Sequence, residues 1–214
     1  MANPSNRVFV PCRLSFPRLS STELNELSGK DEYSVVCVIP KDDTKTINAI
    51  RSVMKEVFSA KFSPKEWSPK FKQANFFEEH LSADGKDGFF LRDGDLVSDK
   101  NDKMENCVFF TARDGAKAPK KPHAPECAVK EGKKVIKITG DRIDEELYAG
   151  CDAIVAVDVY AFDNKGNKGC GASLKAVIKT GDNERWGGSA PVDLSEFGEV
   201  EEESSVIEEG LENL

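Results

Sequence analysis

Residues 153–179 carry the pattern that most limits the fold, two apolar runs of alternating character joined by a short polar turn. AIVAVDVYAF leads into DNKGNKG and continues through CGASLKAVIK. Successive side chains of a strand point to opposite sides, so alternate residues share a face. The predicted core face carries Val155, Val157, Val159 and Ala161. The sequence therefore predicts a β-hairpin whose other face is polar and aromatic.

That second face carries Ala156, Asp158, Tyr160 and Phe162. A turn centred near Gly166 predicts the pairing of the two strands. In this register Lys175 lies opposite Asp158, and Ser173 lies opposite Tyr160.

The last 22 residues, 193–214, have nine acidic side chains and no basic one. The chain has 30 basic and 38 acidic residues, a net charge of −8, whereas the part before residue 193 has 30 against 29. Such a segment cannot bury enough apolar surface to offset the entropy of ordering. We therefore predict a single domain over 1–192 and a disordered acidic tail over 193–214.

Three roles for this tail remain open. It could compete with a polyanion for a basic groove, capture partner proteins, or only keep the protein in solution. The residues expected to bind partners are Glu201, Glu202, Glu203, Glu208, Glu209, Leu211 and Leu214.

Further patterns predict the remaining elements. Strands are expected at 7–16, 33–39, 107–112 and in KKVIKI, with Pro11 at an edge or bulge. Thr44 to Lys61 has apolar residues at helical spacing after several N-cap candidates, which predicts the one substantial helix. Residues 62–106 are long and irregular, which is typical of a functional or partly ordered insertion. We predict a mainly β protein, a five-stranded barrel of the oligonucleotide-binding (OB) type with long inserted loops.

Composition excludes several classes of protein. The sequence has no run of about 18 apolar residues, so no membrane span is expected. The first residues lack an apolar signal core, so secretion is not expected either. The six cysteines form no CxxC pair, so we expect buried thiols in a reducing compartment and no zinc site. No cofactor is expected.

Catalytic motifs are also missing. The sequence has no GxSxG, GxxxxGK[ST] or post-strand GxGxxG pattern. Asp93 and Asp95 in LRDGD could form the metal pair of a nuclease, but the turn preferences of Asp and Gly explain this motif without a metal. We therefore expect no enzyme.

Aromatic and basic residues alternate in three regions: 61–77, 109–121 and 160–186. Grooves that bind single-stranded nucleic acid combine cations for phosphates with aromatic rings for bases. The alternative is that Phe109, Phe110 and Phe162 belong to the core and that the lysines are ordinary surface residues. The candidate DNA contacts are Arg113, Lys117, Lys120, Lys121, Tyr160, Phe162, Lys175 and Trp186.

An ordered set of segments resembles a known family. RLSFPRL, YSVVCVIPKDDTKTI, LRDGD, YAGCDAIVAVDVYAFDN, GNKGCGASLKAVIK and a WGG before an acidic tail occur in the same order in phage single-stranded-DNA-binding proteins. The resemblance covers residues 7–198 and implies an OB fold that binds single-stranded DNA without sequence preference. The family's hairpin maps onto Tyr160, Phe162, Lys168 and Lys175. Residues 125–146 are longer and more charged than the resemblance implies, and the segment around Trp67 also varies.

The resulting hypothesis is a phage protein that coats single-stranded DNA in replication or recombination, with a tail that recruits phage or host proteins. The alternatives are a strand-annealing recombination protein, a nuclease at Asp93 and Asp95, and an interaction protein that acts through its tail alone. No membrane partner is expected, and oligomeric state is left open.

Overall fold

The computed structural model describes residues 6–26 and 28–187. The strands are β1 (Arg7–Asn25), β2 (Lys30–Pro40), β3 (Arg92–Asp93), β4 (Cys107–Ala116), β5 (Glu126–Glu131), β6 (Lys134–Lys137), β7 (Asp152–Asn164) and β8 (Asn167–Gly181). The helices are α1 (Thr44–Lys61), α2 (Phe76–Glu79) and α3 (Arg142–Glu146). The acidic tail lies outside the described residues, and so do all seven of its proposed partner-binding positions.

Five strands form a closed barrel. Antiparallel ladders join β4 to β2, β2 to β1, β1 to β7, and β7 to β8. A parallel bridge between Arg113 of β4 and Ser173 of β8 closes the ring. This closure removes free strand edges and confirms the predicted five-stranded OB-type barrel. The β5–β6 hairpin extends the sheet, because β5 pairs in parallel with the far end of β8.

The alternating pattern of β1 explains how it contributes to the interior. Val10 and Leu14 are fully buried, and Val8 and Cys12 nearly so, as the period of two predicts. At Pro11 the strand is paired with β7 and not yet with β2, whose ladder starts at Arg13. Proline therefore lies where only one side of the strand is paired, as expected from its missing N–H.

Helix α1 begins and ends where the sequence predicts. The Asp43 side chain accepts a hydrogen bond from the Thr46 backbone N–H at 3.1 Å, which caps the first turn. The buried face carries Ile47, Ile50, Met54 and Phe58, and the helix packs on β7 and β1. Residues three and four apart share one side of a helix, so this stripe covers one end of the barrel core.

The insertion over 62–106 is ordered by aromatic packing. Phe58 of α1 contacts Phe71 at 4.4 Å and Phe62 at 5.0 Å between ring centroids, and Phe76 and Phe77 are buried beside them. The Trp67 indole N–H donates to the Phe62 carbonyl oxygen at 3.0 Å. The rings of the region 61–77 thus extend the core, and the interpretation of this region as a stacking surface is wrong.

The β7–β8 hairpin has the predicted faces but not the predicted register. Val155, Val157 and Val159 are fully buried. The structure pairs Asp158 with Ser173 and Tyr160 with Gly171, two residues away from the prediction on β8. The reason is the turn, which consists of Lys165 and Gly166 with φ of 52° and 87°. A two-residue turn with positive φ at both positions matches strand twist, so the turn lies one residue earlier than predicted.

The six cysteines are free thiols, five of them buried and Cys107 partly buried. Burial raises the pKa of the Cys151 and Cys170 thiols to about 12. These thiols are therefore protonated at neutral pH and act as small apolar core residues.

Candidate functional site

Two aromatic rings lie on the outer face of the β7–β8 hairpin. Tyr160 is directly opposite Gly171, and Phe162 is directly opposite Gly169. A Cβ on Gly171 would lie 2.6 Å from Tyr160 Cζ, and one on Gly169 would lie 2.8 Å from Phe162 Cζ. Each ring therefore covers a glycine of the neighbouring strand, where any larger residue would displace it. We call this pair, 6.4 Å apart between centroids, the aromatic platform.

Tyr160 remains 48% exposed although its ring lies on the sheet. Partial burial raises the pKa of its phenol, and the Glu32 carboxylate adds to this rise. The phenol is consequently neutral at physiological pH. A neutral aromatic ring that is open to solvent can stack on a base without electrostatic repulsion from phosphates.

A continuous row of paired residues crosses all five barrel strands next to this platform. Arg18 of β1 pairs with Ser34 of β2, which pairs with Arg113 of β4. Arg113 bridges to Ser173 of β8, which pairs with Asp158 of β7. Strand neighbours are separated by about 4.8 Å, so the row extends for about 19 Å along the barrel surface. We call it the cross-strand row.

Three residues of the row, Arg18, Ser34 and Arg113, line a surface groove with Arg113 at its centre. On one side Arg113 shares a pocket with Arg92, Thr111 and Tyr160, and on the other side it shares one with Arg18 and Ser34. The side chain of Arg113 is 50% exposed. These residues place cations, hydroxyls and an aromatic ring on one open surface, which is the composition of a site for a phosphate backbone with unpaired bases.

Arg92 extends this groove from the inserted segment. Its guanidinium carbon lies 4.6 Å from the Phe109 ring centroid, in cation–π contact. Its Nε is buried and has no hydrogen-bond partner among the described residues. An unpaired arginine donor is uncommon, because a buried polar group without a partner costs free energy. Because this Nε is buried, an acceptor that enters the groove can reach it only if the Arg92 side chain moves.

Carboxylates hold the two arginines of the cross-strand row. Arg18 forms an ion pair with Glu23, and Arg113 Nη1 lies 3.8 Å from Glu32 Oε2. Hydrogen bonds from Asn25 at 2.9 Å and Ser28 at 3.0 Å fix the Glu32 carboxylate. A phosphate that binds in the groove must compete with these acidic groups. The exposed Arg18–Glu23 pair can exchange at little cost, whereas the Glu32 carboxylate is only 12% exposed and is held by its hydrogen bonds.

The loop after β4 supplies three further cations. Lys117, Lys120 and Lys121 are all exposed. Among the described residues their ammonium groups form no ion pair. The loop folds back on β4, since the His123 backbone N–H donates to Asp114 Oδ1 at 3.1 Å. It therefore lies beside the end of the strand that carries Arg113.

Two predicted contacts lie apart from this groove. Lys175 Nζ is 3.4 Å from Asp114 Oδ2, so its charge is compensated within the protein. The Trp186 ring lies under the Arg13 guanidinium at 4.1 Å and packs with Val38 and Phe109 at the opposite end of β2 and β4. Lys168, the remaining hairpin cation, is only 18% exposed and lies between Glu66 and Asp163.

The phenylalanines of the candidate regions differ in their exposure to solvent. Phe109 and Phe110 are 6% and 0% exposed, which confirms the interpretation that they belong to the core. Phe162 is partly exposed on the aromatic platform, so the corresponding core interpretation for Phe162 is wrong.

Asp93 and Asp95 both form ion pairs with Lys41. Lys41 Nζ lies 2.7 Å from Asp93 and 2.5 Å from Asp95. Asp95 also accepts a hydrogen bond from the Asn106 backbone N–H at 2.6 Å, and these contacts lower the pKa of its carboxyl group. The ammonium compensates one of the two negative charges and holds both carboxylates together, so the pair serves as a turn anchor. Within the described ranges no cluster of three or more His, Cys, Asp or Glu has metal-site geometry.

The helices of the described part are all too short or too polar to cross a membrane.

Comparison with known proteins identifies the family. The family model described as "Enterobacter phage Enc34, ssDNA-binding protein" matches residues 7–207. The chain belongs to this Enc34 family. The phage resemblance seen in the sequence is thereby confirmed, and the family is one of binding proteins rather than enzymes.

Individual relatives agree with this assignment. Protein p50 of Acyrthosiphon pisum secondary endosymbiont phage 1 is 25% identical over 188 residues, which cover 88% of this chain and 90% of p50. The solved single-stranded DNA-binding protein from bacteriophage Enc34 in complex with ssDNA is 23% identical with a TM-score of 0.60, over 86% of this chain and 91% of that one.

A third comparison shows the fold at a greater distance. The single-stranded DNA-binding protein gp2.5 of bacteriophage T7 has a TM-score of 0.53 at 13% identity, over 87% of this chain and 96% of that one. The barrel is therefore shared by chains whose sequences have diverged almost completely.

The groove around Arg113 includes residues that were not predicted from the sequence. Arg92 lies in the LRDGD motif, of which only the two acidic residues were candidates for a site. Arg18 lies beyond the predicted end of β1. The basic charge of these two side chains was the one local feature that could have indicated a binding role. Without the strand pairing, nothing connected these positions with Arg113.

Proposed function

We propose that this protein binds single-stranded DNA without sequence preference in the groove over the cross-strand row. The observation that carries the proposal is the exposed aromatic platform next to Arg113 and Arg92. Aromatic faces accept every base, and arginines accept the backbone phosphates.

The contacts divide by role. Tyr160 and Phe162 would stack on bases, and Arg113 would bind phosphate. Lys117, Lys120 and Lys121 would add salt-dependent affinity from the adjoining loop, since each released counterion contributes to binding. Lys120→Glu combined with Lys121→Glu should weaken binding several-fold and lower its salt dependence.

Lys175 and Trp186 remain predicted contacts that the groove does not include. Their variants therefore compare the sequence-based site with the groove directly. Lys175→Gln is the sharper of the two, because the Trp186 ring also packs in the apolar cluster around Phe109.

We further propose a role in phage DNA replication or recombination in the host cytoplasm. Family membership supports the phage setting, and six free cysteines are compatible with a reducing compartment. The acidic tail over 193–214 would recruit partner proteins and compete with DNA for the groove. Residues 1–192 would act as the DNA-binding domain.

The experiment is a titration of the full chain with a fluorescently labelled dT oligonucleotide and with duplex DNA of the same length. Anisotropy of the label is preferable to tryptophan fluorescence, because Trp67 and Trp186 both pack against other side chains. Tight binding to the single strand, weak binding to the duplex and loss of affinity with salt are expected. Equal affinity for both DNA forms, or none for either, would reject the proposal.

A further inference from the structure

Phe16 combines two unfavourable properties in β1. Its φ of 45° lies in the left-handed region, which bulky side chains avoid. Its side chain is also 64% exposed, so burial does not offset the cost of this conformation. Residues held in such conformations persist only where the surrounding structure imposes them, and they concentrate at binding and catalytic sites.

A β-bulge imposes the conformation. Ser15 pairs with Val36 and Arg18 pairs with Ser34, so β1 advances three residues while β2 advances two. The extra residue bends the strand and redirects the side chain next to it. Pro17 does not favour this conformation, because the residue before a proline prefers extended backbone with negative φ, so the bulge imposes it against a local preference.

The bulge places Phe16 two residues from Arg18, at the β1 end of the cross-strand row. The aromatic platform lies at the other end, and Arg113 lies between them. The groove thus has aromatic rings at both ends and arginines in the middle. This order matches a single strand whose bases stack at two places while its phosphates pass over the cations.

We propose that Phe16 is a base-stacking residue of the DNA site, and that the strand crosses the barrel from the β7–β8 hairpin to β1. The inference rests on the proposed function, since it assigns a second stacking position to the same groove. A base is favoured over a second protein copy because the neighbouring Arg18 and Arg113 complement phosphate.

The test compares Phe16→Gly with Phe9→Ala. Glycine adopts positive φ freely, so Phe16→Gly removes the ring and relaxes the backbone together. Phe9 is the control, as it lies in the same strand and is also 64% exposed, but it is seven residues away, where β1 pairs with β7 and its ladder with β2 has not begun. Phe16→Trp keeps an aromatic face at the site.

We expect Phe16→Gly to bind the dT oligonucleotide about 5- to 140-fold more weakly, as the loss of one stacked base implies. Its melting temperature should not fall, and its salt dependence should not change because no phosphate contact is removed. Phe16→Trp and Phe9→Ala should bind like the unmodified chain.

Unchanged affinity of Phe16→Gly would overturn the inference. So would a change in association state in sedimentation, since Phe16 would then contact a second copy. If the unmodified chain itself fails to bind the dT oligonucleotide, the proposed function fails instead, and the two failures are distinguishable.

Discussion

Gly171→Ala displaces the Tyr160 ring without removing any group from it. The new Cβ would lie 2.6 Å from Tyr160 Cζ and 2.7 Å from its Oη, closer than carbon atoms approach in proteins. The ring is half exposed, so it can swing into solvent while the core stays closed. Gly171 has no positive φ, so its extended backbone accepts alanine.

The expected magnitude follows from these contacts. Alanine stabilises a compatible backbone by about 0.4–1 kcal/mol through the unfolded state, which roughly offsets the displacement of the ring. Stability should therefore change little. A stacked base is worth about 1–3 kcal/mol, so single-stranded DNA should bind about 5- to 140-fold more weakly.

The assay measures anisotropy with a labelled dT oligonucleotide at fixed salt. Gly181→Ala is the control, because the same change in the same strand meets Asp152 only at 3.6 Å, an ordinary contact. Tyr160→Ala completes a double-mutant cycle. Once Tyr160 is alanine, Gly171→Ala should have no further effect.

Two results would refute this reasoning. If Gly171→Ala binds as tightly as Gly181→Ala, the position of the ring does not matter. If Gly171→Ala costs the same affinity in the Tyr160→Ala background, the strand itself contacts DNA and the platform is not the cause.

Three further predictions concern charge. Arg113→Gln should lower the slope of log K against log salt by about 0.7, whereas Lys175→Gln should leave this slope unchanged. If the two variants have equal slopes, Arg113 is not the phosphate contact. Removal of residues 193–214 should tighten DNA binding at low salt and abolish capture of replication proteins, and unchanged affinity would reject competition by the tail. Lys41→Met should lower the melting temperature at neutral pH by calorimetry. Because Lys41 lowers the pKa of Asp95, this stabilisation is present above the ordinary carboxyl pKa of about 3.9 and is lost as pH falls through the lowered value. The difference from the unmodified chain should therefore shrink in acid, and a constant difference would contradict the ion pair.

Local patterns predicted the hairpin and α1 but missed β3 and β5. The period of two in 153–179 predicted the core face of the hairpin, where Val155, Val157 and Val159 are fully buried. The apolar stripe and the N-cap candidates before it predicted the bounds of α1, since a cap and a periodic face are both local. The acidic composition of 193–214 separated that segment from the predicted domain.

The position of the hairpin turn could not be predicted from these local patterns. Moving the turn by one residue preserves both faces of β7 and β8, so hydrophobicity could not distinguish the two registers. The choice mattered for function, because it placed Gly171 rather than Ser173 beneath Tyr160. Only a glycine leaves room for the ring to lie flat on the sheet.

The sequence by itself determined the β-rich barrel class, the helix and the core face of the β7–β8 hairpin, because these depend on residues that are neighbours along the chain. The tertiary structure alone decided which strands meet. Arg18, Arg92 and Arg113 are far apart in sequence and come together only when β2 pairs with both β1 and β4 and the inserted segment places β3 beside β4. A binding surface made by such long-range pairing has no local signature, since each of its residues lies in an unremarkable stretch of its own strand.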